Sequence, residues 1–401
     1  MSSLFGHDLT AFPSDREIAE IAAWNHRDFE ELKQQLLEIH ADLIEMQAGI
    51  EASVHRNGFG DFSEGDIHIG EYGREEDLGD LFFCHKDANL LSDCPLEEMA
   101  IVTGFGPSSN PTAGTLSMIF RLLELKRRTG VPIHVSIPDL GFINFRTAGV
   151  SDVFAYTARF EAFLRDLGLS GPDVFIRRHN DADLMRTALL VTSALDLEDF
   201  VENSEASHEL YDRLKKQGSV FSTYVHYALC VADILLPVIR DGKRTVVVLS
   251  GIDEYYFSTL AEKVVGRLRE REGIGKLIPA DVRVCSLFGR LIEGLFPFVK
   301  MSKSIPESSI NLGDSDEVLA QKILHGDSRN EHVICQMMIL ASDWDAAKKA
   351  AVKEAFRSRS DQWTSFKEEY LELFLSIKRI WERSADAAVS ASNAYQSIYR
   401  R

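Results

Sequence analysis

Two lysines lie three residues apart on a serine-rich segment. Residues 300–312 read KMSKSIPESSINL and follow the apolar run LIEGLFPF. Lysine side chains donate hydrogen bonds and accept none, so Lys300 and Lys303 suit the oxygens of a triphosphate whose charge moves during a reaction. A solvated basic turn is the alternative, and an isolated pair of lysines at this spacing would favour that alternative.

A second segment has the composition of a phosphate site. Residues 103–116 read TGFGPSSNPTAGTL and join an apolar run to a helical pattern. Glycines let the backbone approach a ligand closely, and a helix starting near Thr115 would direct free N–H groups toward an anion. The P-loop pattern GxxxxGK[ST] is absent, and a polar turn between a strand and a helix is the alternative. The residues that would serve this site are Gly104, Gly106, Ser108, Ser109, Thr112, Gly114 and Thr115.

A carboxylate follows another apolar run, in the segment TVVVLSGIDEYYF. Gly251 ends the run, and Asp253 and Glu254 come next. A carboxylate at the end of a buried strand can accept hydrogen bonds from ribose hydroxyls or from a substrate ammonium. As the alternative, Asp253 is the N-cap of a helix that begins near Tyr255 and needs no ligand.

The elements around these segments alternate between strands and helices. Strand-like runs at MAIVTGFG, VPIHVSI, DVFIRRHN, TVVVLSG and VRVCSLF are separated by helical patterns. This alternation predicts an α/β fold with a Rossmann-like, doubly wound parallel sheet. The phosphate segment would then lie at the carboxyl edge of that sheet, where ligands bind in such folds.

The pattern along the chain predicts three parts. Residues 1–95 form a helical N-terminal extension that is compatible with a hairpin. Residues 96–314 form the Rossmann-like domain, with a helical insertion at about 180–240. Residues 315–401 read as almost entirely helical and form a C-terminal domain.

Composition narrows the class of protein. A chain of 401 residues predicts two or three domains, and its net charge of −18 weighs against a protein that coats nucleic acid nonspecifically. Neither a run of eighteen apolar residues nor a secretory signal is visible, which predicts no membrane span. The five cysteines form no CxxC pair, so we expect a reduced, cytoplasmic protein without a metal site.

Together the three segments resemble one family, the class I aminoacyl-tRNA synthetases of the tryptophanyl and tyrosyl subclass. KMSKSIPESSINL is similar to the KMSxSxPxSSIxL stretch of the tryptophanyl branch, and TGFGPSSNPTAGTL resembles its TGxGPSS segment with the HIGH site. YALCVADILL and GIDEYYF resemble two further elements of the fold. The resemblance covers residues 96 to 325.

The resemblance implies activation of an amino acid with ATP and Mg²⁺. Thr112, Gly114 and Thr115 occupy the HIGH site, which reads TAGT, so both histidines of the family are replaced by threonine. The residues implied to hold the pyrophosphate are Lys300 and Lys303, supported by Ser302 and Ser304. Those implied to bind the nucleotide are Gly104, Gly106 and Ser108, with Gly251 and Asp253 on the ribose.

The amino-acid pocket departs from the family. Its polar contacts are replaced by Val102, Ser136 and Gly141, and the glutamine after Asp253 is Glu254. Loss of specific hydrogen bonds is costly for the ligand that needs them, so tryptophan is disfavoured as the substrate. Glu254 suggests a pocket that accepts a cation or an extra amine.

Three interpretations follow from this mixture of kept and altered motifs. The favoured one is a synthetase-like ligase repurposed for specialised, amide-forming metabolism. The others are a genuine aminoacyl-tRNA ligase and a non-catalytic binding protein. The expected partners are an amino acid and an acceptor, either tRNA or a small-molecule amine. The family also implies a homodimer.

Overall fold

The computed structural model describes residues 12–24, 27–37, 59–62, 67–74, 78–106, 110–141, 150–196, 198–199, 220–296, 298, 301 and 306–390. The chain forms two compact units. The first unit takes its described residues from the ranges Met1–Glu51, Ser109–Arg121 and Arg290–Arg379. The second takes them from Ala52–Ser108, Leu122–Gly289 and Ile380–Arg401.

The second unit is built on a mixed sheet. Its seven strands are β1 (Phe59–Gly60), β2 (Phe82–Lys86), β3 (Met99–Gly104), β4 (Ile133–Ile137), β5 (Val174–Arg178), β6 (Thr245–Ser250) and β7 (Arg283–Gly289). Their order across the sheet is β1-β2-β7-β6-β3-β4-β5. The five strands from β7 to β5 pair in parallel, as the alternating pattern predicted.

Helices connect the parallel strands. They are α4 (Ala113–Thr129), α5 (Val150–Asp166), α6 (Ala182–Thr192), α7 (Val220–Asp241) and α8 (Tyr255–Glu270). Strands β3, β4 and β6 are almost continuously buried, because a sheet covered on both faces needs apolar residues at successive positions. The prediction of a Rossmann-like, doubly wound sheet is therefore confirmed.

The edge of the sheet contains two antiparallel strands that precede the first parallel strand in the chain. Strand β2 pairs with β7, and β1 pairs with β2. A short helix, α3 (Leu78–Leu81), leads directly into β2. Lys86 on β2 forms a largely buried ion pair with Glu262 on α8. This stretch thus takes part in the sheet itself, which the sequence pattern did not indicate.

The first unit is helical. Its described helices are α1 (Asp15–Trp24), α2 (29–37), α9 (Asp316–Leu324), α10 (Glu331–Leu340), α11 (Ala346–Ser358) and α12 (Gln362–Arg383), of which α12 ends in the second unit. Ser315 and Asp345 cap α9 and α11 through their side chains. Tyr370 on α12 is completely buried and donates a hydrogen bond to the carbonyl oxygen of Ala341.

The last residues of α12 are fixed within the second unit. Trp381 is completely buried and packs on Phe163 of α5, with ring centroids 5.2 Å apart. Arg159 of α5 lies 3.8 Å above the Trp381 ring and donates a hydrogen bond of 2.9 Å to its carbonyl oxygen. These contacts bury one of the largest side chains of the chain beside the parallel sheet. No helix among the described residues is long and apolar enough to cross a membrane.

Candidate functional site

In the first unit, the TAGT segment forms the N-terminal turn of α4. Thr112 precedes the helix, and its Oγ1 accepts a hydrogen bond of 3.4 Å from the Thr115 N–H. This is the N-cap arrangement, in which a side chain satisfies a backbone donor that the helix cannot satisfy. Thr112 is buried, whereas Gly114 and Thr115 are partly exposed.

Gly114 keeps the end of this helix open. A Cβ built on Gly114 would have Thr112 Oγ1, at 3.6 Å, as its nearest neighbour. That is ordinary van der Waals contact, so packing does not require a glycine here. A missing side chain beside a helix N-terminus leaves space for an anion to approach the backbone N–H groups.

A β-bridge joins the start of α4 to the end of the KMSKSIPESSINL segment. Thr112 pairs with Asn311 in an antiparallel bridge. The Ala113 N–H donates to the Ile310 carbonyl oxygen at 3.0 Å, and the Leu312 N–H donates to the Pro111 carbonyl oxygen at 2.9 Å. The sequence predicted both segments as phosphate sites, and the first unit holds them together through backbone hydrogen bonds.

The two ends of the lysine-bearing loop are also held together. The Leu295 N–H donates to the Ser308 carbonyl oxygen at 2.9 Å, which closes the loop at its base. Before the loop, buried Glu293 accepts hydrogen bonds from His332 at 2.9 Å and from Gln336 at 2.7 Å. After the loop, Lys322 donates to the Ser309 carbonyl oxygen. Backbone and side-chain contacts therefore hold in place the residues that precede and follow the lysines.

The helices at the start of the chain pack on the same segment. Phe298 is buried in an apolar cluster with α1 and α2, whose other buried members are Ile18, Ala22, Leu32 and Leu36. Arg27 lies 3.5 Å from Glu307, on the far side of the loop. The N-terminal helices are thus in contact with the residues on both sides of KMSKS.

Several predicted phosphate ligands lie outside the described residues. They are Lys300, Ser302, Lys303, Ser304 and, from the turn after β3, Ser108. Met301, between the two lysines, is described and is buried. The placement of the lysines at a phosphate remains a prediction from the motif.

In the second unit, the strand ends provide an open glycine and an apolar neighbour. Gly104 ends β3 and is exposed, and a Cβ there would meet only the Ser136 carbonyl oxygen, at 3.8 Å. Gly106 is also exposed. Val102 is buried and pairs with His134 on β4. The Phe105 N–H continues the pairing by donating to the Ser136 carbonyl oxygen at 2.9 Å.

The turn after β6 leads directly into α8. Residues Ile252–Glu254 form a 3-10 turn, and Glu254 occupies the N-cap position of α8 without a capping hydrogen bond from its side chain. The helix begins at Tyr255 as expected, and the capping role of Asp253 stays a prediction. The Asp253 side chain lies outside the described part of the structure. Gly251 precedes the turn in an extended conformation.

Arg177 and His134 form a polar pair near Ser136, on the sheet face covered by α7. Arg177 on β5 donates to His134 Nδ1 at 2.7 Å, so His134 carries its proton on Nε2. Burial and the Arg177 charge lower the pKa of His134 to about 3, which keeps the ring neutral. The Ser136 hydroxyl is buried without a hydrogen-bond partner among the described residues.

Three ionisable groups surround Gly141. A Cβ on Gly141 would lie 2.6 Å from His179 Nδ1 and 2.8 Å from His226 Nδ1, so the position admits only glycine without movement of a histidine. Asp139 precedes it in the same helical turn and is completely buried. Burial raises the pKa of the Asp139 carboxyl although the Leu140 N–H donates to it.

His179 is held by a carboxylate from α7. Its Nε2 lies 2.9 Å from Asp233 Oδ2, and because a carboxylate only accepts, that nitrogen carries a proton. Cys230, one turn away, is 3.6 Å from His226. Burial raises the pKa of Cys230 well above its usual value, and the charges of Asp233 and Glu254 raise it further. Glu254 therefore belongs to the same charged neighbourhood as Asp233.

Sequence inspection missed most of this polar cluster. Its members include Asp139, Arg177, His179, His226 and Asp233. The signal available was RRHND directly after a strand, together with the polar residues of VSIPDLG, since both segments end neighbouring strands of a parallel sheet. Among the described residues, no group of three or more His, Cys, Asp or Glu has the arrangement of a metal site.

The comparisons with known proteins agree on one fold. No protein-family model matches the chain, and a sequence search among curated proteins finds no relative. Solved structures do match. The tryptophanyl-tRNA synthetase of Aeropyrum pernix superposes with a TM-score of 0.63 at 19% identity, over 85% of this chain and 95% of that one.

Two further structures extend the comparison. The tryptophanyl-tRNA synthetase of Encephalitozoon cuniculi, bound to tryptophan, has a TM-score of 0.59 at 16% identity, covering 84% of this chain and 96% of that one. The tyrosyl-tRNA synthetase of Archaeoglobus fulgidus, complexed with L-tyrosine, has a TM-score of 0.54 at 17% identity, covering 74% and 92%. The resemblance inferred from the motifs is thus confirmed at the level of the fold.

Proposed function

We propose that this protein is an ATP-dependent ligase of the aminoacyl-tRNA synthetase type, which activates an amino acid as its aminoacyl-adenylate. The observation that carries the proposal is the first unit's pairing of the TAGT helix end with the strand that follows KMSKS. Two segments with phosphate-binding chemistry, almost two hundred residues apart in the chain, are joined there by a backbone bridge. This pairing supports the proposal because it brings a helix N-terminus next to the end of the lysine-bearing segment.

The proposed reaction has two steps. An oxygen of the amino-acid carboxylate forms a bond to the α-phosphorus of ATP, and the bond from that phosphorus to the bridging oxygen breaks. Pyrophosphate leaves with the electron pair. An acceptor nucleophile then attacks the carbonyl carbon of the adenylate, loses its proton and displaces AMP. Such chemistry depends on position and charge stabilisation more than on acid–base groups.

We assign binding of the ATP phosphates and of the leaving pyrophosphate to the first unit. Lys300 and Lys303, with Ser302 and Ser304, would hold the leaving pyrophosphate. Thr112, Gly114 and Thr115 would present the helix end to the phosphates. The open position at Gly114 fits a bound polyphosphate. Mg²⁺ would neutralise phosphate charge, and we expect it to arrive on ATP, since this ion is commonly held by phosphates and water with few protein ligands.

Recognition of the rest of the reactants is assigned to the second unit. Gly104, Gly106 and Ser108 would lie along the nucleotide, and Gly251 and Asp253 would bind its ribose. Val102, Ser136, Gly141 and Glu254 would line the amino-acid side. The exposed, unobstructed Gly104 supports this assignment, because a ligand can approach the end of β3 there.

A second part of the proposal concerns the acceptor, the molecule that receives the activated amino acid. The departures at Ser136, Gly141 and Glu254 favour a ligase with an acceptor other than tRNA, such as a small-molecule amine that would yield an amide. The second candidate is tRNA, which the names of the similar solved structures favour. We also propose a homodimer in the cytoplasm, by analogy with the family.

Pyrophosphate exchange tests the proposal directly. The full-length protein is incubated with ATP, Mg²⁺, labelled pyrophosphate and each amino acid of a broad panel, and label entering ATP is measured. Exchange that depends on an amino acid is the expected result. Its absence with every amino acid contradicts the function. In a second assay with the activated amino acid labelled instead, addition of total tRNA or of a panel of amines identifies the acceptor by formation of labelled ester or amide.

A further inference from the structure

Three buried polar atoms near Gly141 lack hydrogen-bond partners within the described part of the chain. They are Ser136 Oγ, Asp139 Oδ2 and His179 Nδ1. Their residues are at most 5% exposed. A buried polar atom without a partner is costly, and native proteins keep such atoms mainly where a ligand, ion or water completes them. Three in one place therefore indicate a binding site.

The three atoms belong to neighbouring elements of the second unit. Ser136 pairs with Arg177 near the ends of β4 and β5. His179 comes two residues after Arg177 and lies on the same side of β5. Asp139 lies in the helical turn after β4, and its charge interacts with His179. Gly141 brings the backbone within van der Waals contact of His179 Nδ1. These positions are at the carboxyl edge of the parallel sheet, where α/β folds bind their ligands.

The chemistry of this cluster is that of an acceptor site. An ionised Asp139 can only accept hydrogen bonds. His179 donates from Nε2 to Asp233, and in the tautomer that carries its proton there, Nδ1 is an acceptor as well. Ser136 supplies a hydroxyl that can either donate or accept. A ligand that satisfies these atoms must therefore present N–H donors.

The charges nearby favour a cationic donor. Asp139 and Asp233 contribute two carboxylates. The two closest arginines have other partners. Arg178 donates to the Glu161 carboxylate at 2.9 Å, and Arg177 donates to His134 Nδ1. A desolvated carboxylate binds a cation more strongly than it binds a neutral donor.

We propose that this cluster, Ser136, Asp139 and His179, is the side-chain end of the amino-acid pocket and selects a basic amino acid. The terminal ammonium or guanidinium donates to Asp139 Oδ2 and His179 Nδ1, with Ser136 as an additional contact. His179 is a specificity-determining residue, and Asp233 is the positioning residue that keeps its Nδ1 available. The inference rests on the proposed function only in treating the ligand as an amino acid to be activated.

Matched pairs of amino acids provide the test. L-arginine is compared with L-citrulline, and L-lysine with L-norleucine, in ATP–pyrophosphate exchange with the full-length protein. Citrulline keeps the length and shape of arginine, norleucine is one heavy atom shorter than lysine, and both remove the charge. We expect kcat/KM for the basic member to exceed that of its neutral partner by at least about 100-fold, as expected when a polar site is left unpaired. Exchange with tryptophan or another neutral amino acid, and none with basic ones, overturns the inference and leaves the proposed function standing.

Calorimetry without ATP separates the two proposals. If no amino acid supports exchange, the proposed function fails. The calorimetric binding measurement then tests by itself whether the cluster selects a basic amino acid. Saturable binding of L-arginine or L-lysine, without binding of citrulline or norleucine, supports the inference. Absence of binding by both members of each pair overturns it.

The Asp139→Asn substitution distinguishes a ligand contact from a structural one. It keeps the shape and removes the charge, so KM for the basic amino acid should rise at least about tenfold while KM for ATP stays unchanged. The Tm should stay equal or rise, because the substitution removes a buried carboxylate. A fall in Tm with an unchanged KM shows that Asp139 is structural and overturns its assignment. Asp343→Asn, at an exposed position, is the matched control.

Discussion

The two units of this protein differ in how closely their sequences match the motifs of the synthetase family that the chain resembles. In the first unit, the bridge between Thr112 and Asn311 joins TAGT to the end of KMSKSIPESSINL, which supports the phosphate interpretation. In the second, the residues expected to contact the amino acid are replaced, and a different polar cluster occupies the ends of β4 and β5. The contrast is therefore between a unit that keeps the predicted phosphate motifs and a unit that departs from the predicted amino-acid contacts.

Backbone geometry is the reason why we expect the first unit to tolerate substitution. A helix N-terminus binds anions through N–H groups that every residue except proline carries. Replacement of the histidines of the HIGH site by Thr112 and Thr115 therefore leaves the main donors in place. Recognition of an amino-acid side chain instead needs particular atoms at particular positions, so it changes when the residues change.

The two glycines show the same contrast. Gly114 has free space around its Cβ position, with Thr112 Oγ1 at 3.6 Å. Gly141 has none, because two histidine nitrogens lie within 2.8 Å of the corresponding point. The first glycine keeps a surface accessible to a ligand, and the second lets buried side chains approach the backbone.

The largest expected effect is on the lysine pair of the first unit. We expect Lys303→Ala to reduce the rate of pyrophosphate exchange by about 100- to 1,000-fold, because it removes a donor aimed at developing charge. The measurement is kcat for exchange with the best amino acid. Lys276→Ala, at an exposed lysine in the second unit, is the control. Equal rates for the wild type and Lys303→Ala exclude the clamp.

Phe298 tests whether the N-terminal helices support the loop. Phe298→Ala should lower the free energy of unfolding by about 3 kcal/mol, since it removes a buried aromatic side chain from the cluster with α1 and α2. Chemical denaturation measures the change. Phe221→Ala, at a phenylalanine that is 76% exposed, should have little effect. A loss no larger than that of the control shows that the cluster contributes little to stability.

Gly114→Ala tests the open helix end with a single methyl group. We expect a loss of exchange rate of about tenfold, because the methyl group occupies the path of the phosphate, with no loss of stability since Ala is favoured over Gly in helices by about 0.5–1 kcal/mol. Gly266→Ala is the control, as it lies within α8 with open space around its Cβ position. A fall in Tm for Gly114→Ala alone points to a packing role instead.

The smallest expected effect is a pH dependence from the second unit. Burial raises the folded-state pKa of Asp139, so this group favours folding below the pKa of the unfolded chain, near 4, and that advantage is lost as pH rises through the folded-state pKa. The difference in unfolding free energy between wild type and Asp139→Asn should therefore widen from pH 4 toward neutral pH. Parallel stability curves over this range contradict a buried, unpaired carboxylate.

Some elements were predictable because their signals are local. The parallel strands β3, β4 and β6 are runs of apolar, mostly β-branched residues, and the helices between them have a clear period, so the doubly wound sheet could be predicted. The two phosphate segments were recognisable because their residues are contiguous. Strand β2 was missed, since an edge strand with Cys84, His85 and Lys86 lacks an apolar run and is defined by its pairing with β7.

The sequence by itself determined the fold class and the kind of chemistry, through apolar periodicity and through motifs whose residues are neighbours in the chain. Only the tertiary structure decided which residues lie together around Gly141. His179 comes next to Asp139 and Gly141 because β4 and β5 pair in one register, and Asp233 reaches His179 only because α7 covers that face. Such neighbours are distant in sequence, and no local pattern records them. For the same reason, the bridge between Thr112 and Asn311 could be inferred from neither segment alone.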